Sequence, residues 1–170
     1  MLSVNEQFPD FVLMTVQPNG NEMVSMTENE LLGNWSVIYF YPKDFTFICP
    51  TEIAAMDLLN EEADVIGISG DNEFCKAAWK EVNGMIREIQ HPLAADCGLV
   101  LAGDCGVIDY DANVALRATF ILDPDNIIQS VSVNALDTGR NAEEILRTVQ
   151  ALKAGGLTGC SWMPGEDFVA

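Results

Sequence analysis

A strongly apolar run, Ser36–Tyr41 (SVIYFY), meets a helix opening at Pro50 through the segment Pro42-Lys43-Asp44-Phe45-Thr46-Phe47-Ile48-Cys49. No other stretch restricts the fold as much. The run reads as a strand, and Pro50-Thr51-Glu52-Ile53-Ala54-Ala55-Met56 reads as an opening helix, because proline is well tolerated in a first turn. Cys49 then sits where unpaired amide groups and the helix dipole favour an anion. A thiol there should ionise more readily than a free one, and the thiolate is the nucleophile. A structural cysteine at a strand–helix junction is the ordinary alternative. The spacing Pro-x3-Thr-x2-Cys inside an aromatic, apolar run weighs against it.

The remaining elements alternate. Runs suited to strands are Phe11–Val16, Val65–Ser69, Ala118–Leu122 and Ile127–Val133, and helical patterns fill Thr51–Glu62, Asn72–Asn83 and Asn141–Lys153. Asn72 and Asn141 are placed as N-caps. Asp123-Pro124-Asp125-Asn126 is a turn, which makes the last two strands a hairpin. With 170 residues the chain reads as one domain able to bury its own core.

The net charge of −18, from 26 acidic and 8 basic residues, would repel a phosphate backbone and argues against nucleic-acid binding. No stretch approaches the roughly 20 apolar residues of a membrane span. The start MLSVNEQFPDF lacks the basic end and apolar run of a secretory signal, so a soluble, cytoplasmic protein is expected. Five cysteines (Cys49, Cys75, Cys97, Cys105 and Cys160) without such a signal point to reduced thiols, with any disulfide transient and catalytic. No C-x-x-C occurs, the only histidine is His91, and no metal site is expected.

A thiolate attacking a peroxide must hold a small, neutral oxygen pair in line and stabilise the departing oxygen anion. Thr46, one helical turn before Cys49, can offer its hydroxyl to both the sulfur and the bound oxygen. Pro42 would wall off one side of the pocket and limit water. At this point the segment FYPKDFTFICPTE resembles the active site of peroxiredoxins, of the typical two-cysteine and alkyl hydroperoxide reductase C type. FPDF, GISGDNEF…AW, HPLAAD, GVI…ALRATFILDP, TGRNAEEILR and CSWMPGEDF follow in that family's order over nearly the whole chain.

The resemblance implies an α/β chain of thioredoxin-like fold in its peroxiredoxin variant, with a central mixed β-sheet flanked by helices. Residues 1–153 would form the peroxidase domain and 154–170 a C-terminal tail. It implies that Arg117, matching the arginine of the family's RATF block, faces the Cys49 sulfur, where a guanidinium supplies fixed donors and a permanent charge. Read on its own, Arg117 could be a surface arginine at a strand start. In the family, a matching Glu and Arg complete a hydrogen-bonded network, so Glu52 would orient Arg117 and Arg140 would keep Glu52 ionised. Glu52 could equally be a favourable first-turn carboxylate.

Attack would convert Cys49 to a sulfenic acid, which another thiol must resolve. Cys160, in the Gly-rich tail AGGLTGCSW, is the choice; relatives place this thiol four residues before a tryptophan, a slot that here holds Thr158, while Cys160 is two before Trp162. Cys75 reads as core packing, and Cys97 and Cys105 as small buried hydrophobes, either of which could serve as an extra resolving thiol. Phe45, Phe47 and Trp35 are assigned to core or subunit contacts. No cofactor is expected. The implied partners are hydrogen peroxide, organic hydroperoxides and an external dithiol reductant (thioredoxin-like, alkylhydroperoxidase-D-like or a flavoprotein disulfide reductase). A homodimer is implied, able to assemble into a decamer. Two rivals are a thioredoxin-like disulfide exchanger, which generally needs a cysteine where Glu52 stands, and a peroxide sensor or chaperone-like assembly.

Overall fold

A computed structural model describes residues 1–18 and 21–170. Among these residues a seven-stranded mixed sheet forms the centre, in the order β2-β1-β5-β4-β3-β8-β9. Its strands are β1 (Val12–Val16), β2 (Met23–Thr27), β3 (Ser36–Phe40), β4 (Asp64–Ser69), β5 (Leu93–Ala95), β8 (Arg117–Leu122) and β9 (Ile128–Asn134). A separate ribbon pairs β6 (Ile108–Asp109) with β7 (Val114–Ala115). The helices are α1 (Cys49–Met56), α2 (Glu73–Val82), α3 (Val100–Cys105) and α4 (Ala142–Ala154). No helix among the described residues is long and apolar enough to cross a membrane.

The apolar run from Ser36 becomes the central strand because both of its faces can be buried. Side chains alternate along a strand. Val37 and Tyr39 face one hydrophobic cluster with Ile53, Met56, Trp79, Ile145 and Val149, which come from α1, α2 and α4. Ile38 and Phe40 face the other, with Phe8, Leu31, Phe120 and Leu101. Strand β3 pairs in parallel with β4 and antiparallel with β8, so the chain reaches Cys49 from the middle of the sheet.

The expected strands and the hairpin are present, with Asn126 turning in the left-handed region between β8 and β9. Asn72 and Asn141 cap α2 and α4, their side chains accepting from the Cys75 and Glu144 amides. The first helix is shorter than its periodicity suggested: α1 ends at Met56 and passes into a tight 3-10 turn, Asp57–Leu59. Strands β2, β5, β6 and β7 and helix α3 were not legible. β5 has three residues, and β2 is largely open to solvent, without clean alternation.

Helix α2 departs from a simple amphipathic pattern. Its buried face carries Lys76 and Lys80 beside Trp79. Lys80 Nζ donates to the carbonyls of Gln17 at 2.9 Å and Pro18 at 3.4 Å, and burial pulls its affinity for a proton down. Gly67, on β4, leaves room for the end of the Tyr39 ring; a Cβ there would lie 2.4 Å from the phenol oxygen and 2.9 Å from Leu93 Cδ2. We expect Gly67→Ala to destabilise the protein by about 1–3 kcal/mol through overpacking, read as a lower urea midpoint.

Candidate active site

Cys49 is the first residue of α1, with Pro50 behind it, and it is fully buried. Arg117, the first residue of β8, donates from Nη1 to the Cys49 sulfur at 3.3 Å. The same nitrogen donates to Glu52 Oε2 at 2.6 Å, and Arg117 Nε donates to the Leu136 carbonyl at 2.8 Å. Glu52, one turn into α1, uses its second oxygen to accept from both the backbone amide and Nε of Arg140, each at 3.0 Å. Arg140 continues to the Ala118 carbonyl at 3.3 Å, the Thr119 hydroxyl at 3.4 Å and the Phe40 carbonyl. Its guanidinium lies 5.0 Å over the centre of the Tyr39 ring.

These side chains are almost closed to solvent: 5% of Arg117, 4% of Arg140 and 2% of Glu52 is exposed. Burial opposes the charge on Arg117, but the Cys49 sulfur and the Glu52 carboxylate outweigh it and leave it more basic than a free guanidinium. For Arg140 burial dominates over the pull of Glu52 and holds it below the usual arginine range. One carboxylate thus serves two buried cations. The excess positive charge is directed at sulfur.

Four of the residues singled out from sequence therefore converge: Cys49, Glu52, Arg117 and Arg140. The other three stand apart. The Thr46 hydroxyl donates to the Lys43 carbonyl at 2.9 Å and makes no hydrogen bond to the sulfur. Among the described residues nothing donates to its oxygen. Pro42 is half-buried and lines a cleft of about 220 Å³ with Lys43, Asp71 and Leu99, a cleft that Cys49 does not line. Cys160 is exposed in the tail beyond α4, its sulfur 3.7 Å from the neighbouring Ser161 hydroxyl.

All five cysteines are free. Cys97 corrects an expectation: it is exposed rather than buried, because it lies in the turn between β5 and α3. Cys105 is buried as expected, and burial, with Asp104 and Asp96 adding to it, pushes its thiol up to about 12. Cys75 is half-buried and raised by burial, with Asp44 and Asp71 adding. Phe45 and Phe47 do not join the core. Phe47 is 95% exposed, and Phe45 packs on Trp79 from a left-handed backbone position in the loop.

A second buried cluster holds that loop, and sequence reasoning missed it. Asp44, two residues before Thr46, accepts at Oδ1 from the Ser69 hydroxyl at 2.9 Å and from Lys76 Nζ at 3.3 Å. Lys76 also donates to Tyr41 Oη at 3.1 Å and to Ser69 Oγ at 2.5 Å. Burial pulls the Lys76 ammonium down, opposed by Asp44. A lysine on the apolar side of α2, facing an aspartate in an otherwise apolar loop, was the signal available.

Comparison with known proteins gives the family and the fold. Residues 4–131 match the model of the AhpC/TSA family. Alkyl hydroperoxide reductase C of Mycolicibacterium smegmatis is 40% identical over 185 residues, covering 99% of this chain and 94% of the relative. The putative peroxiredoxin YkuU of Bacillus subtilis is 39% identical over 173 residues, covering 96% of each. The solved structure of Mycobacterium tuberculosis AhpC superposes with a TM-score of 0.86 at 37% identity, covering 95% of this chain and 99% of that one. The reduced 2-Cys peroxiredoxin of Plasmodium vivax gives 0.91 at 30% identity, covering 98% and 92%. The thioredoxin-like fold read from sequence is the fold of these structures.

The Asp44–Lys76 pair yields a stability test. Lys76→Met leaves the Asp44 carboxylate buried without its cation and should cost about 3–5 kcal/mol, whereas Asp44→Leu combined with Lys76→Met should cost less than the sum of the single changes. Urea unfolding of the three variants measures both.

Proposed function

The chain belongs to the AhpC/TSA family and is a thiol-dependent peroxidase; from that premise we propose that Cys49 is the thiol that reduces the peroxide. The observation that carries this reading is the Arg117 guanidinium, 3.3 Å from the buried sulfur and fixed by Glu52. Cys49 attacks as the thiolate, the form to which a donating guanidinium is complementary. Its electron pair forms an S–O bond with the near oxygen of hydrogen peroxide or an organic hydroperoxide. The O–O bond breaks, and the leaving oxygen takes the bonding pair and, from solvent, a proton equivalent to the one the Cys49 thiol released on ionising, to depart as water or alcohol.

Thr46 has a part in this step that its hydrogen bond makes specific. With its proton donated to Lys43, its oxygen accepts from the hydroperoxide O–H and aligns the O–O bond on the sulfur. Arg117 stabilises the charge that develops on the departing oxygen. Arg140 keeps Glu52 ionised and in place, and Pro42 limits the room beside the loop.

Cys49 is left as a sulfenic acid. The thiol of Cys160 condenses with it, forming a disulfide and releasing water. A buried sulfur at the start of α1 and an exposed one in the tail can meet only if the first turn of α1 unwinds. Cys160 of the other subunit of a homodimer is the partner this reading favours, with dimers able to assemble into a decamer. Cys75 and Cys105 are poor rivals, since both thiols are pushed away from ionisation. An external dithiol protein of the cytoplasm then reduces the disulfide by exchange.

In peroxide consumption with a thiol reductant, Cys49→Ser is expected to lose turnover, and Arg117→Met to slow the reaction of Cys49 with peroxide by roughly 10²-fold. On a non-reducing gel, peroxide should convert the wild type to a covalent dimer that Cys160→Ser does not form. Undiminished turnover by Cys49→Ser would overturn the reading.

A further inference from the structure

Beyond Arg140 the buried network continues into groups that peroxide reduction as described does not use. Tyr39 is fully buried on β3 with its ring under the Arg140 guanidinium. Among the described residues its hydroxyl meets one hydrogen-bond partner, His91 Nε2, at 2.8 Å. His91 precedes β5 in sequence, is the chain's only histidine and is 1% exposed. Its Nδ1 lies 2.6 Å from Asp57 Oδ1, in the 3-10 turn after α1. Asp57 also accepts from the Gln90 amide at 2.9 and 3.0 Å and from Asn60 Nδ2 at 3.0 Å.

Two of the three groups have a defined proton inventory. Burial pushes the Tyr39 phenol well above its ordinary value, against the pull of Arg140, so Tyr39 keeps its proton. Burial also acts upward on Asp57, but the bonds from His91, the Gln90 amide and Asn60 outweigh it and hold the carboxyl below the usual range. Asp57 is therefore an acceptor only. With Nδ1 donating to Asp57, a neutral His91 presents a bare Nε2 that accepts from the phenol.

A phenol that donates its proton has an electron-rich ring, and that ring is the surface on which Arg140 rests. A second proton on His91 would remove the phenol's acceptor and place a cation at the hydroxyl edge of the ring. Both changes weaken the hold on Arg140, and Arg140 is half of what holds Glu52. We propose that His91, fixed by Asp57, is a positioning residue for the Cys49 site and acts through Tyr39 on Arg140. This rests on the reading of Cys49 as the peroxide-reducing thiol. The charged groups around His91 are Asp57 in direct contact, Glu30 and Asp64 lining the cleft of about 310 Å³ that His91 borders, Lys80, which feels both Asp57 and Glu88, and Arg140 across the Tyr39 ring.

A single histidine makes the test unambiguous. Its imidazole is titrated by proton NMR in the reduced full-length protein. The rate of Cys49 oxidation by hydrogen peroxide is then followed against pH by stopped flow in wild type, Tyr39→Phe and His91→Gln. The wild-type profile should show, besides the ionisation of Cys49, an inflection at the NMR midpoint, below which the rate falls roughly three- to tenfold, the scale of a weakened cation–π contact. Tyr39→Phe keeps the ring and removes the link, so its imidazole should still titrate while the inflection is absent. His91→Gln should lose the inflection as well; if it does not fold, Tyr39→Phe decides alone. A wild-type profile without that inflection, or one superimposable on Tyr39→Phe, would overturn the role. Cys49→Ser in the same peroxide assay keeps the two failures apart. If it is inactive while the profiles superimpose, only the His91 role falls; if it is as active as wild type, the Cys49 reading falls too.

Discussion

One carboxylate shared between two buried guanidiniums holds the Cys49 site together. Glu52 gives one oxygen to Arg117 and the other to Arg140. Removing a carboxylate and two cations from water is expensive unless each is paired and hydrogen-bonded. Here all three nitrogens of Arg140, and Nε and Nη1 of Arg117, donate to a carbonyl, a hydroxyl, a carboxylate or the sulfur itself. The three charges sum to one unit of positive charge, and Cys49 is the group that lies against it.

The sheet makes that arrangement possible. Strand β3 and the residue that follows it send Tyr39 and Tyr41 to the helix-covered face that also buries Cys49. Each tyrosine then supports a different part of the site. Tyr39 lies under Arg140, while Tyr41 reaches Lys76 and through it the Asp44 anchor of the Thr46 loop. Alternation through one central strand and the residue that follows it thus ties Glu52 and its arginines to the loop that carries Thr46.

Local signals were the legible ones. Proline at the start of α1, Asn72 and Asn141 at helix starts and the turn around Asn126 carry their physical reasons within a few residues of sequence. Glu52, Arg117 and Arg140 were readable only through resemblance, because their pairing joins segments 65 and 88 residues apart. The contact of Tyr39 with His91 spans 52 residues and has no local pattern. Short β5 and solvent-washed β2 lacked the alternation that marks a strand. Cys97 misled because its apolar neighbours Leu99, Val100 and Leu101 suggested a core, whereas the chain turns there.

The interior claims half of this protein's scarce cations. Lys76, Lys80, Arg117 and Arg140 carry their charges inside, and among the described residues Arg147 and Lys153 are paired with Glu144 and Glu62. Asp44, Glu52 and Asp96 are buried with them, so the interior charges nearly cancel and the envelope carries essentially the whole formal negative charge, with a potential that reaches about 8 Å into physiological saline. An uncharged oxidant crosses that atmosphere without noticing it. Acidic metabolites and small anionic mercaptans are turned back, while a macromolecule with a basic face is drawn in faster, the more so as ionic strength falls.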